Sequence, residues 1–272
     1  MTARRICLAL LAAACGPTSI NNPSIGGHSD ASVPFPPPGL SVDAGAVQPA
    51  PNVVYAHGPD TLFLVDPGTL EVTPVARFTW PFAPDKMTDI AIDRNGDMIG
   101  ISFDTVYAVD KSTATCRRLA PLDRQFNGLS FVHTDGAEQE TLLATALDGS
   151  VHRLDPETGA STLIGNFGSG YRSSGDMVSV AGFGTVATVK SDFSETDWLV
   201  NIDPTTGTAT PIGDTGQKNI WGLGFWGNQV YGFTSEHEFV LVDVRSGAAS
   251  LVSTGEVAWW GAGVTTSAPV IE

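Results

Sequence analysis

Two carboxylates stand where their counterparts are glycines. The chain carries five short, related segments, TDIAI (88–92), NGLSF (127–131), GDMVS (175–179), WGLGF (221–225) and WGAGV (260–264). At the second position of each falls Asp89, Gly128, Asp176, Gly222 or Gly261. If the segments converge, Asp89 and Asp176 meet, with Asn127 one residue away. Oxygen donors of this kind suit Ca²⁺, which makes Asp89 and Asp176 the candidate metal ligands. The same pair is a candidate general acid and base for a glycan-active hydrolase or lyase. The plain alternative is that each carboxylate caps a local turn or holds channel water. Three features argue against catalysis: no third acid joins the ring, no histidine accompanies the pair, and the two segments are not consecutive.

A second group could bind without reacting. Aromatic and basic residues collect in the segments 79–87 (TWPFAPDKM), 121–126 (PLDRQF), 167–174 (FGSGYRSS) and 213–220 (GDTGQKNI), each just ahead of one of those five segments. Aromatic faces beside polar groups suit sugars or peptide side chains. The candidate ligand-binding set is Trp80, Arg124, Asn127, Tyr171, Arg172 and Trp221, with Phe82 and Lys218 beside it. The stretch SDFSETD (191–197) adds Asp192, Glu195 and Asp197. Trp221 and Trp260 precede ring glycines in equivalent positions, which also suits a wedge between structural units. His28, His57, His133, His152 and His237 show no metal-ligand spacing, and no G-x-S-x-G, phosphate-binding loop or dinucleotide fingerprint occurs. Cys116 has no His or Asn signature around it and reads as a small buried residue.

The elements that position these residues repeat. LFLVDPGTLEV (62–72), VYAVDKSTATC (106–116), VHRLDPETGAS (151–161), LVNIDPTTGTA (199–209) and FVLVDVRSGAA (239–249) share one pattern. Their marker aspartates, Asp66, Asp110, Asp155, Asp203 and Asp243, recur at the 40–50-residue period of propellers and solenoids. Three residues after each stands Thr69, Thr113, Thr158, Thr206 or Ser246, followed by Leu70, Ala114, Gly159, Gly207 or Gly247. An Asp carboxylate accepts from backbone N–H groups two and three residues on, and a residue with positive φ closes the turn. These five aspartates are therefore structural and lie outside any active site.

Each unit reads as four strands. The array opens with only three (about 52–57, 61–66 and 71–78) and ends with a lone segment near 259–266 of the type that begins the other units. A final strand that completes the first sheet closes a ring and protects its edges. The sequence thus predicts an all-β, five-bladed β-propeller of four-stranded antiparallel blades over 52–268, with a tail at 269–272. Glycine and alanine in the first strands fit the narrow axis where five sheets meet.

Composition agrees. Of 272 residues 30 are Gly and 18 Pro, and only 16% are charged, as expected of many short strands and turns. A net charge of −15 leaves no basic stripe for nucleic acid. Arg4 and Arg5, the apolar run Ile6–Ala14 and then Cys15 resemble the lipobox of bacterial lipoproteins. That resemblance implies a signal peptide over 1–14, a diacylglycerol thioether and N-acyl group on Cys15, and a membrane as partner. Gly16 in place of Asp implies outer-membrane sorting. Residues 15–51, rich in Pro, Gly, Ser and Asn, read as a tether that cannot bury enough apolar area to order itself. The D-P-x-T-G turns resemble those of envelope propellers with YVTN-, NHL- or quinoprotein-like repeats over about 52–266. The outer-strand Trp of quinoproteins is missing, so no quinone cofactor is expected. The expectation is a cell-envelope lipoprotein, not an enzyme, whose loop face binds a protein or glycan. The alternatives are a glycan-active enzyme using Asp89 and Asp176, and a structural subunit of an envelope complex.

Overall fold

The structure is a computed structural model that describes residues 53–133 and 140–271. Signal peptide, Cys15 and tether lie outside the described residues. All regular elements in the described residues are strands, and they form five four-stranded antiparallel sheets. Blade 1 holds β1 (Val54–His57), β2 (Thr61–Val65) and β3 (Val72–Arg77). Blade 2 holds β4 (Asp89–Ile92), β5 (Met98–Ile101), β6 (Thr105–Asp110) and β7 (Thr115–Pro121). Blade 3 holds β8 (Gly128–Val132), β9 (Thr141–Thr145), β10 (Ser150–Leu154) and β11 (Ser161–Asn166). Blade 4 holds β12 (Arg172–Val180), β13 (Gly184–Lys190), β14 (Trp198–Ile202) and β15 (Ala209–Asp214). Blade 5 holds β16 (Ile220–Trp226), β17 (Gln229–Thr234), β18 (Glu238–Val242) and β19 (Ala249–Thr254). The last strand, β20 (Gly261–Gly263), is the innermost strand of blade 1. It pairs with β1 in the register Tyr55↔Gly263, Ala56↔Ala262 and His57↔Gly261. The five-bladed propeller is therefore closed as the strand count predicts.

Burial falls from axis to rim. Inner strands are buried along nearly their whole length, whereas outer strands such as β3, β11 and β19 hold only intermediate and exposed residues. Ile90, Leu129, Met177, Leu223 and Ala262 alternate with the ring residues and fill the space between sheets, each essentially without solvent contact. Burying an aliphatic side chain of this size stabilises the fold by about 1.5–3 kcal/mol.

The marker turns form as the spacing requires. Asp66 Oδ1 accepts from Gly68 N at 2.7 Å and Thr69 N at 3.1 Å, and Asp243 Oδ1 from Arg245 N at 3.0 Å and Ser246 N at 2.8 Å. The residue that follows the hydroxyl has positive φ in all five turns, including Leu70 (59°) and Ala114 (54°), where no glycine relieves the strain. Threonine and serine hydroxyls accept from the N–H two residues on, as in Thr158 Oγ1 with Ala160 N at 3.4 Å.

These turns do more than reverse the chain. The stretch after each outer strand bonds to the start of the next blade's outer strand. Cys116 N donates to Thr79 O at 2.9 Å, Ser161 N to Asp123 Oδ2 at 2.8 Å, Ala209 N to Phe167 O at 3.0 Å, and Ala249 N to Thr215 O at 3.0 Å. The ring is laced along its rim from blade 1 to blade 5. Gly165 and Gly213 allow it, because a Cβ at either would overlap the turn carbonyl of the following blade, Thr206 O or Ser246 O.

The chain beyond β20 seals the face opposite the loops that precede the inner strands. Thr265 Oγ1 donates to Asp93 O at 2.8 Å, Thr266 Oγ1 bonds Glu140, and Thr266 O accepts from Ala181 N at 2.8 Å. Gly227 N donates to Pro269 O at 3.0 Å, and Ile271 N to Asn228 Oδ1 at 3.2 Å. The segment thus touches the inner hairpins of blades 2 to 5, so the sequence reading of 269–272 as a tail undersold it.

Replacing Gly213 with Ala forces the blade 4–blade 5 seam apart and lowers unfolding free energy by about 2 kcal/mol. Gly255→Ala, where a Cβ meets nothing within 4 Å, changes it by less than about 0.5 kcal/mol. Urea denaturation of both variants checks the difference.

Candidate functional site

The inner strands bring Asp89 and Asp176 together at the axis. Blades 2 and 4 are not adjacent, but the ring is narrow enough that the charge of Asp176 raises the proton affinity of Asp89. Each is fully buried and spans a seam to the next blade. Asp89 accepts from Ile90 N at 2.8 Å and, across the seam, from Leu129 N at 2.6 Å. Asp176 does the same with Met177 N at 2.6 Å and Leu223 N at 2.7 Å. The two positions that broke the glycine ring are thus inter-blade clasps.

A histidine joins them. His57, on β1 opposite Gly261, has its Nε2 3.9 Å from Asp89 Oδ1, and both side chains are fully buried. Its Nδ1 lies 2.9 Å from Gly58 O, so Nδ1 carries the proton and Nε2 is a bare acceptor with no partner. Gly261 is required here, since a Cβ would overlap both Asp89 Oδ1 and His57 Nε2. The expectation that no histidine accompanies the pair is corrected. His57 sits on the second strand of blade 1, and only the strand supplied by the C-terminal segment reveals its register.

Burial sets the protonation of this cluster. It raises both carboxyls well above the usual carboxylate range, and for Asp89 the charge of Asp176 adds to the effect. Two buried carboxyls that feel each other's charge titrate as a pair, and the first charge formed makes the second harder to form. Burial also lowers His57 to about 4, against the pull of its bond to Gly58, so its ring is neutral. Among the described residues no group of three or more His, Cys, Asp and Glu is arranged to hold a metal ion.

Directly above the carboxylates is an open pocket of about 430 Å³. Its floor consists of the residues one position before the ring, Thr88, Asn127, Gly175, Trp221 and Trp260. Phe103 and Leu147 reach over from the loops between second and third strands, and Arg172, Ser173, Ser174 and Lys190 form the blade 4 wall. The two kinds of loop therefore share one face. Trp221 and Trp260 meet edge to face at 6.4 Å between ring centroids and 83° between planes, and Phe103 meets Trp260 at 6.2 Å and 72°. Both indoles are half-exposed in the pocket, not wedged out of sight between blades.

The cations are held in place. Lys190 Nζ donates to Asp197 Oδ1 at 3.1 Å and to Asn219 Oδ1 at 2.8 Å. Asp197, fully buried, accepts on its other oxygen from Ser174 Oγ at 2.6 Å and Ile220 N at 2.7 Å. Arg172 pairs with Asp192 at 2.8 Å, on the 191–197 loop.

Of the six candidate ligand-binding residues, the pocket gathers Asn127, Arg172 and Trp221. Trp80 packs on Phe78 and on Tyr107, at 5.7 and 5.0 Å. Arg124 lies 2.9 Å from His152 Nε2 and over the Phe126 ring at 5.8 Å. Tyr171 packs against the core between blades 3 and 4. Phe82 is exposed, and Lys218 pairs with Glu195 at 2.7 Å. The sequence reading did not single out Phe103, Leu147 and Lys190, because nothing in a loop of three or four residues or a strand end marks its direction. Cys116 is buried, and burial pushes its thiol up to about 12, which removes it as a nucleophile.

No protein-family model matches the chain, and no curated protein matches it in sequence. Among solved structures it is similar to a protein of unknown function from Bacteroides caccae, at 10% identity and a TM-score of 0.42 over 76% of this chain and 73% of that one. It is also similar to a structural-genomics protein of unknown function from Bacteroides thetaiotaomicron VPI-5482, at 16% identity and a TM-score of 0.46 over 79% of this chain and 57% of that one. A third similar structure is the computationally designed Ika8 protein, at 16% identity and a TM-score of 0.35 over 77% and 61%.

The cluster makes stability depend on pH in two opposing ways. The carboxyls bind protons more tightly folded than unfolded, so their contribution is full below their ordinary value near 4 and is lost as pH rises toward their raised values. His57 contributes fully above 6.5 and loses its contribution as pH falls toward about 4. Above pH 6.5 only the acid pair gives a slope. Asp176→Asn, whose amide does not titrate, is less stable than wild type at pH 5, and the gap narrows as pH rises to 9. Urea melts across that range check it, and a constant gap would refute the raised proton affinity of the pair.

Proposed function

We propose that this chain is a lipid-anchored envelope protein whose propeller binds a partner in the axial mouth pocket and performs no chemistry. The observation that carries this reading is the layering at the axis. The pocket floor is aromatic and amide, and the acid pair lies one residue beneath it, engaged by backbone N–H groups. Neither carboxylate lines the pocket.

The rival reading, hydrolysis or elimination on a glycan by Asp89 and Asp176, meets a geometric obstacle. A glycosidase's two carboxyls must flank the sugar they act on, whereas here both are buried, engaged by backbone N–H donors, and absent from the lining of the pocket. Calcium fares no better than catalysis, because four of the carboxylate oxygens' lone pairs already face N–H donors. A purely structural role in an envelope complex leaves the open aromatic floor without a purpose.

Support for the address is the likeness of Ile6–Cys15 to a lipobox, the Pro/Gly/Ser-rich tether, and the likeness of the turns to those of envelope propellers. Diacylglycerol with an added N-acyl chain anchors firmly, whereas one chain attaches reversibly.

Two measurements test the proposal. The full chain made in a Gram-negative host partitions into the detergent phase, and Cys15→Ser moves it to the aqueous phase. Purified Cys15→Ser protein, incubated with polysaccharides and peptides, binds a member of the panel and releases no product. Product release abolished by Asp89→Asn would establish the enzyme reading instead.

A further inference from the structure

The chemistry of the mouth pocket restricts what it can hold. Its hydroxyls have no proton to spare. Thr88 Oγ1 spends its proton on Ile101 O at 3.0 Å, Ser173 Oγ on Gly175 O at 2.9 Å, and Ser174 Oγ on Asp197 Oδ2 at 2.6 Å. Asn127 Oδ1 is buried and receives no hydrogen bond at all. A desolvated carbonyl without a donor costs about 1–3 kcal/mol, and turning the half-buried side chain toward a ligand's donor in the pocket recovers it. If the amide takes its other orientation, the same position needs an acceptor, and a hydroxyl meets either demand.

Charge narrows the class further. Lys190 and Arg172 stand in the wall, so a cationic ligand is repelled despite the aromatic rings that would otherwise hold an ammonium group. Both already have carboxylate partners, Asp197 and Asp192, so a carboxylate, sulfate or phosphate must compete with these for either cation. The net charge of −15 disfavours anions at longer range. What remains is an uncharged ligand with hydroxyls that can both donate and accept.

Shape supplies the last constraint. Trp221 and Trp260 stand nearly perpendicular and form a corner, with Phe103 closing a third side. A pyranose has one flat C–H face to lay on an indole and an edge of hydroxyls at right angles to it. The volume of about 430 Å³ lies in the lower part of the range for small-ligand sites, about 300–1,000 Å³, too small for a folded surface to enter.

We propose that the pocket takes an uncharged pyranose unit of a glycan, one C–H face against Trp221 or Trp260 and a hydroxyl on Asn127. This rests on the mouth pocket being the propeller's binding site, as argued above.

The test uses full-chain Cys15→Ser protein and follows tryptophan fluorescence and calorimetry. The probes are neutral oligosaccharides (glucans, mannans, galactans, xylans), their uronic-acid and sulfated counterparts, choline, and uncharged tetrapeptides. A neutral oligosaccharide binds. Trp260→Ala weakens it about thirtyfold or more, as for an aromatic anchor, and Asn127→Ala about fivefold. Phe103→Ala, at an exposed position that cannot disturb the core, weakens it about fivefold, so the result does not depend on Trp260→Ala folding well. Trp80→Ala leaves it unchanged. Selective binding of charged glycans, choline or tetrapeptides, lost in Phe103→Ala, overturns the pyranose assignment and leaves the pocket as the site. Silence of every neutral glycan also overturns the assignment. Neutral-glycan binding unaffected by all three pocket variants overturns both readings.

Discussion

Five strand edges converging on one axis is the constraint from which the rest of this molecule follows. Side chains there must be small, and Gly128, Gly222 and Gly261 satisfy the requirement by having none. A Cβ at Gly222 would overlap the backbone of Gly261, and one at Gly128 would overlap Gly175 O. Asp89 and Asp176 are admitted at the same level because each lies across a seam and accepts the N–H of the next blade's inner strand. Their alternation with glycine is spatial bookkeeping: each carboxylate occupies volume that neighbouring glycines leave open. A buried carboxylate is tolerated where backbone donors meet its needs, and removing one partner exposes the desolvation cost of the other.

One level up the constraint relaxes, and the chemistry changes with it. The strands splay toward the loop face, so indoles replace glycines at Trp221 and Trp260. One layer therefore selects for the smallest side chains in the protein and the next accommodates the largest, with a single peptide unit between them. That step separates the acids from anything in the pocket. At the opposite end the segment after β20 crosses the inner hairpins of four blades. The axis is open on one face, and the pocket lies there.

The fold was legible because its signals are local and repeated. An Asp followed at a fixed offset by a hydroxyl residue and a positive-φ position specifies a turn through contacts within five residues, and five copies state the architecture. Ring closure was legible from counting strands, three at the start and one left over at the end. The axial cluster was only half legible. Asp89 and Asp176 stand out against glycine, but their contact across non-adjacent blades depends on how narrow the ring is, which no spacing along the chain encodes. His57 was invisible for a related reason: its neighbour Gly261 is 204 positions away, joined to it only by the pairing of β20 with β1. The rim was the least legible. Trp80 and Tyr171 lie in the same class of loop as Arg172, yet their rings turn back onto Tyr107 and onto the blade 3–blade 4 core, and the direction of a loop side chain is decided by packing that the sequence does not display.

The same packing separates a binding site from a catalytic one in this propeller. A general acid must reach the substrate oxygen and exchange its proton during each turnover. Asp89 and Asp176 instead each join a seam of the ring, beneath a floor of Trp221, Trp260 and Asn127. Raising a carboxyl's proton affinity by burial is a means of making an acid catalyst, but burial serves catalysis only when a path to substrate survives it. Here the donors that stabilise each carboxylate come from the strands that build the barrier above it, so opening the path would dismantle the clasp. The pair's perturbed protonation is thus a consequence of closing five sheets around an axis, and the unpartnered Asn127 carbonyl, not the acids, is the polar group left waiting for a ligand.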